Sequence, residues 1–168
     1  MSQIVKFLVL GLPRTGKSTF IQTISPQVKW QDDDSNSWLH GLVPVDENLK
    51  VHFMEPPTLP EFDFLWVQEL ISDSDVDGFI IMMDSTDTER FGQVVYILQT
   101  VMSYHPSLPM ALVANFQDLP NAWSAHDIRL GLGLPEELPV MNCVSTQVRL
   151  VKQPVLELLY RVMQGAQQ

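Results

Sequence analysis

The sequence predicts a three-layer α/β domain in which about six strands form a mostly parallel sheet, with one antiparallel edge strand and helices on both faces. Three observations lead there. Apolar runs rich in β-branched residues alternate with stretches of helical spacing, a glycine-bearing loop joins the first run to the first helix, and a short polar turn separates two neighbouring runs.

The strand-like runs are "IVKFLVL" (4–10), "LVPV" (42–45), "LKVHFM" (49–54), "GFIIMMD" (78–84), "MALVAN" (110–115) and "PVMNCVS" (139–145). "KSTFIQTIS" starts a helix after the first run. Helical spacing returns at "VVYILQTVMSY" (94–104) and at "PVLELLYRVM" (154–163), the latter starting at Pro154, a residue favoured in a first turn. The "DEN" of Asp46 to Asn48 reads as a hairpin, which makes one edge strand antiparallel. No repeat, low-complexity tract or Gly/Ser linker divides residues 1–168, and the twelve prolines punctuate loops, so one domain is expected. Ligands of such sheets sit beyond the carboxyl ends of the strands, so the loops after residues 10, 54, 84, 115 and 145 are expected to converge on one pocket.

The first of those loops carries the strongest chemistry. "GLPRTGKST" has the spacing G-x-x-x-x-G-K-S, with Gly11 and Gly16 free to let backbone N–H groups wrap a phosphate chain at a helix N-terminus. Arg14, Thr15, Gly16, Lys17, Ser18 and Thr19 complete the cradle: Lys17 reaches the β/γ-phosphates and Ser18 ligates Mg²⁺. A plain strand-to-helix turn needs neither the lysine nor the adjacent hydroxyls.

Charge and cysteine content narrow the class. Ten basic against 20 acidic residues give a net charge of -10, which opposes nucleic acid and anionic membrane surfaces. Cys143 is the single cysteine, so an internal disulfide is excluded and a reducing, cytoplasmic setting is expected. No signal segment, membrane-spanning run or lipidation motif is apparent, and a monomer without its own membrane anchor is expected. His40, His52, His105 and His126 lack ligand spacing and read as loop or strand-edge residues. Met82 and Met83 read as core, and Trp38 and Trp66 either as buried residues or as an apolar patch for a partner.

The loop "ANFQDLP" holds Asn115 and Asp118 at N-x-x-D spacing. That spacing alone also fits a surface loop with an Asx turn; if the ligand is guanine, which presents two N–H donors on one edge for a carboxylate to accept side by side, Asp118 is the candidate base-selecting residue. With the phosphate loop upstream, this resembles the Ras-like small GTPase superfamily, a P-loop G-domain fold whose guanine motif is N-K-x-D. Phe116 stands where the family has lysine and would cover the base by stacking, and Ser145 in "NCVSTQ" matches the alanine of the family's S-A-K motif. "SWLHGLVPVDENLKVHFMEPPT", "DGFIIMMDST" and "NFQDLPNAW" look like the bacterial gliding-motility and cell-polarity GTPases. The resemblance implies GTP/GDP and Mg²⁺ as cofactors, and a protein regulator or effector, of the small dimeric roadblock type, as partner.

Hydrolysis in the family needs a switch hydroxyl on the metal, a glutamine that orients water and often an arginine. The resemblance places Ser37 at the metal-binding hydroxyl, with an ordinary solvated serine as the other reading. It places "MEPPT" over D-x-x-G-Q, so Pro57 replaces a glycine whose N–H bonds the γ-phosphate, and Thr58 replaces the glutamine. Glu55 is a candidate base or outer Mg²⁺ contact, unless it is simply an exposed strand-end carboxylate. Arg14 is either an internal arginine finger or a solvated cation, and Pro13 crowds the γ-phosphate side. Asp32 to Asp34 read as a solvated, mobile acidic turn. The leading expectation is a guanine-nucleotide-binding switch or interaction module with slow GTP hydrolysis. A pseudo-GTPase scaffold is the alternative, and a P-loop kinase or ATPase ranks last because the basic residues are dispersed.

Overall fold

A computed structural model describes residues 2–33, 36–59 and 61–167. The chain runs β1 (Gln3–Gly11), α1 (Lys17–Ile24), β2 (Gln27–Asp33), β3 (Asn36–Pro44), β4 (Leu49–Glu55), α2 (Phe64–Ser72), β5 (Gly78–Asp84), a 3₁₀ turn (Thr88–Arg90), α3 (Phe91–Tyr104), β6 (Met110–Asn115), α4 (Ala125–Leu132), β7 (Val140–Asn142) and α5 (Val148–Gly165).

The strands form one seven-stranded sheet in the order β2-β3-β4-β1-β5-β6-β7. β4, β1, β5, β6 and β7 are mutually parallel. β3 is antiparallel to both of its neighbours. The polar turn at Asp46 to Asn48 makes the β3–β4 hairpin, with Asn48 N donating to Asp46 Oδ1 at 2.7 Å. The α/β architecture expected from the alternating runs is therefore present, with one strand more than anticipated.

That extra strand is β2, and it corrects the reading of Asp32 to Asp34 as a mobile turn. Asp32 and Asp33 lie in the strand, opposite Ser37 and Asn36 of β3, while Asp34 falls outside the described residues. β3 begins at Asn36 rather than at 42. α5 begins at Val148, so Pro154 lies inside it and not at its start. α2 and α4, short helices left unassigned by the periodicity, are capped by Asp63 and Ser124, whose side chains accept from Trp66 N and Asp127 N.

Two apolar layers flank the sheet. Phe7, Val9, Phe20, Phe53, Val151 and Leu158 pack under α1 and α5. Leu8, Leu10, Ile81, Val94, Leu98 and Ile128 pack under α2, α3 and α4. Successive β1 residues enter opposite layers, which is why the run 4–10 is apolar almost throughout instead of alternating. Met82 and Met83 are fully buried, one in each layer. The layers leave the carboxyl ends of the parallel strands as the free rim of the sheet.

Candidate functional site

At that rim, β1 gives way to the loop Leu12 to Gly16 and then to α1. A Cβ at Gly11 would stand 2.6 Å from the Met82 carbonyl oxygen, and one at Gly16, where φ is 92°, would overlap the Asn115 side-chain amide. Only glycine permits the loop to close this tightly against β5 and β6. Thr15 is buried and its hydroxyl donates to Leu12 O at 2.9 Å. Arg14 holds a positive φ of 62° and is exposed. Like α3 and α5 and unlike α2 and α4, α1 has no side-chain cap, and among the described residues no protein acceptor meets the N–H groups of its first turn.

Lys17 is buried, at 4% exposure, and its Nζ donates to Gly11 O at 3.0 Å and Leu12 O at 2.6 Å. Burial pulls its pKa down to about 8, partly opposed by the charge of Glu55. Ser18 donates its hydroxyl to Glu55 Oε2 at 2.6 Å. Glu55, at the end of β4, is 5% exposed, which corrects the expectation of an exposed strand-end carboxylate. Burial raises its pKa, and the Ser18 hydroxyl and Lys17 act in the opposite direction. A hydroxyl, a carboxylate and an ammonium group thus meet at the loop's mouth. Thr19 follows in α1, half-buried.

The base-side loops are tied to the phosphate loop by one residue. Asn115 is fully buried; its Nδ2 donates to Thr15 O at 2.9 Å, and its Oδ1 accepts from Ser145 N at 3.0 Å. Phe116 takes φ 65°, half-buried, and Asp118 beyond it is exposed. Ser145 is buried, and its hydroxyl lacks a well-formed hydrogen bond, with only the Cys143 thiol as a weak neighbour. Two residues that the sequence reading passed over hold this end. Gln117 Nε2 donates to Ser85 Oγ at 3.0 Å and Trp123 O at 2.8 Å, and Thr23 Oγ1 donates to Ser145 O at 2.5 Å. Gln117 lies inside N-x-x-D, where a signal was available; Thr23 had none.

The γ-phosphate side has a different character. Pro13, Pro57 and Thr58 line a small cavity of about 40 Å³ together with Lys17, Leu59 and Phe62. Ser37 sits in β3 opposite Asp32, past the end of β4, on the same rim of the sheet. No hydrogen bond joins it to the phosphate loop among the described residues. Trp38 and Trp66 are both half-buried against the α2 layer. His40 and His52, unremarkable in sequence, lie 2.9 Å apart on β3 and β4, and no group of three or more metal-binding side chains occurs among the described residues.

The glycine cradles, the uncapped helix, the buried lysine, the hydroxyl–carboxylate pair and the orphaned Ser145 hydroxyl fit a nucleotide polyphosphate with a divalent ion.

No protein-family model matches the chain. It is 31% identical over 127 residues to ADP-ribosylation factor-like protein 10 of Mus musculus, covering 76% of this chain and 51% of that protein, so the chain spans about half the length of that relative. It is 27% identical over 131 residues to ADP-ribosylation factor-like protein 9 of Homo sapiens, covering 78% of this chain and 68% of that protein. The structure of the Arl6 BBS3 small GTPase from Trypanosoma brucei with the bound nucleotide analogue GppNp superimposes with a TM-score of 0.75 at 16% identity, over 96% of this chain and 99% of that one. The chain therefore has the α/β G-domain fold of the small GTPases, and its curated relatives are ADP-ribosylation factor-like proteins.

Proposed function

We propose that this chain is a guanine-nucleotide-binding protein of the Ras-like small GTPase type, with slow intrinsic GTP hydrolysis, acting as a regulatory switch or interaction module. The observation that carries the reading is Asn115, whose buried amide joins the phosphate loop at Thr15 to the base-side loop at Ser145. A loop that merely turned from strand to helix would have no use for that bridge. The names of the relatives, and the guanine-nucleotide analogue held by the Trypanosoma brucei structure, point the same way.

In this reading Lys17 neutralises the β/γ-phosphates, Asp118 selects guanine through its paired N–H donors, and Phe116 covers the base. Ser18 holds Mg²⁺, with Glu55 oriented by the same hydroxyl and Ser37 supplied from the β2–β3 hairpin. When bound, the metal neutralises phosphate charge. The Ser18–Glu55 contact also supports a one-residue change of register: Glu55, rather than Met54, takes the acidic position of D-x-x-G-Q, which brings Thr58 to the glycine and Leu59 to the glutamine. In either register no glutamine is present to orient water, and the γ-phosphate side is walled by proline. Turnover on the order of 10⁻⁴ s⁻¹ or less is expected. Arg14, exposed on the loop, is the remaining cation for an arginine-finger role.

The apolar lining of the γ-phosphate side favours one alternative, a pseudo-GTPase scaffold that keeps a nucleotide without cleaving it. The likeness to the polarity GTPases nominates a roadblock-type dimer as the regulator to test. Acid extraction of the purified protein, followed by identification of the released nucleotide and titration of the stripped protein with fluorescent GDP, tests the reading. GDP or GTP with tight rebinding is expected; ATP, or no binding of either guanine nucleotide, overturns it.

A further inference from the structure

Of the five lysines in this acidic chain, three lie on one face of the sheet, away from the nucleotide rim. Register places Lys29 of β2 beside His40 of β3, and His52 of β4 beside Lys6 of β1. Lys50 stands in the next row, beside Ile4. His40 Nδ1 and His52 Nε2 close the gap between the pairs at 2.9 Å. Their ring centroids are 5.1 Å apart with the planes inclined by 28°, and the short nitrogen separation lets one ring donate to the other. Four nitrogenous side chains thus cross four strands in an unbroken row.

Among the described residues no ion pair engages this row. Among the described residues none of the three lysines lies within 4.0 Å of a carboxylate; the ion pairs present are Arg90–Asp87 and Arg161–Glu157. Asp77 accepts from the backbone N of Lys6, not from its ammonium. The histidines register the crowding: burial lowers both pKa values first, and then Lys29 acts on His40, while His40 and Lys6 act on His52. α1 covers the opposite face of these strands, and α2 packs on this face at Leu8, Leu10, Trp38 and Met54, where Glu69, Asp73 and Asp75 line the margin. Beyond them an open concavity of about 480 Å³ is lined by Gln27, Lys29, His40, Leu42, His52 and Ile4, the last of these 49% exposed.

We propose that this face docks a partner protein through a carboxylate-rich segment. Strands about 4.8 Å apart put Lys29 and Lys6 roughly 14 Å from each other with the two imidazoles between them, a span covered by carboxylates that repeat every 5–6 Å along one face of a helix. Ile4 and Leu42 supply apolar contact between the charges. An anionic membrane is the weaker match, because a chain of net charge -10 brought against it is repelled around a patch this small. A short acidic segment touches the patch alone. The inference does not depend on the nucleotide reading.

The test uses the full chain and a fluorescent helical peptide with glutamates at i and i+4, followed by anisotropy at low and at physiological salt. Saturable binding that weakens with salt is expected, and the surface variant Lys6→Gln/Lys29→Gln/Lys50→Gln should bind at least tenfold more weakly, while Arg149→Gln/Lys152→Gln binds as the parent does. Circular dichroism of each variant confirms that the comparison is between folded proteins. Equal loss in both variants, or no peptide binding, overturns the proposal. So does lysine-dependent sedimentation with phosphatidylserine vesicles without peptide binding, or a lysine-dependent dimer of the chain itself in ultracentrifugation.

Discussion

The base side and the γ-phosphate side of the candidate site are built by opposite means. At the base side, polar atoms are buried and paired: Asn115 spans two loops, Gln117 anchors to Ser85 and Trp123, and Thr23 reaches Ser145. At the γ-phosphate side, Pro13 and Pro57 stand without N–H groups to offer beside a mostly apolar cavity. Hydrogen-bonded ties fix geometry, whereas a proline-lined wall fixes shape and donates nothing. The difference teaches that holding a nucleotide and responding to its third phosphate are separable properties, and under the proposed function this chain is built for the first.

The largest effect expected on that contrast comes from the residue between the two sides. Lys17→Ala should weaken guanine-nucleotide binding by at least about a hundredfold, since it removes a buried cation from several phosphate charges. Equilibrium titration with a fluorescent GDP checks this, and retention within a factor of a few would mean that the backbone cradle suffices.

Next comes the pH dependence of the nucleotide-free protein. The folded state gives up the Lys17 proton near 8, while an unfolded lysine keeps it to 10.5, so between these values the unfolded state binds more protons and stability rises with pH. The shift corresponds to a gain of roughly 3 kcal/mol across that window. Chemical denaturation at pH 7.5 and 10 measures it, and Lys17→Ala should abolish the rise.

Asp118→Asn addresses the base side alone. It should move preference from GDP toward XDP by about tenfold or more while leaving the fold intact, because the changed edge swaps an acceptor for a donor. An unchanged GDP/XDP ratio would detach Asp118 from base reading.

The smallest effect is expected on the γ-phosphate side. Thr58→Gly/Leu59→Gln should raise single-turnover GTP hydrolysis a few-fold, and Pro57→Gly/Thr58→Gln less, if Glu55 marks the register. The reverse order would restore Met54 to the acidic position. Rapid hydrolysis by the unmodified protein would dissolve the contrast itself.

What was legible in the sequence follows the same division. Gly11, Gly16, Lys17 and Ser18 are readable because their spacing is dictated by a phosphate chain, and the buried strands because both faces of β1, β5 and β6 are apolar. β2 was not legible. Residues 27–32 are exposed, Trp30 at 51%, and no alternation marks an edge strand that packs so little. Pro154 misled because proline is commonest in a first turn, whereas here the helix had begun six residues earlier. Glu55 looked exposed because charge usually is; only the fold brings Ser18 and Lys17 to it across 37 residues of chain. The His40–His52 pair is set by strand register, which sequence spacing does not encode.

The Asn115 amide joins position 15 to position 145. During synthesis from the amino terminus, the phosphate loop and α1 emerge long before either partner, so the early half of the chain carries a phosphate cradle with no base end to complete it. The site becomes whole only after Ser145 has left the ribosome, and under the proposed function a nucleotide would from then on act as a late fastener, withdrawing the folded chain from the pool still open to misfolding and degradation.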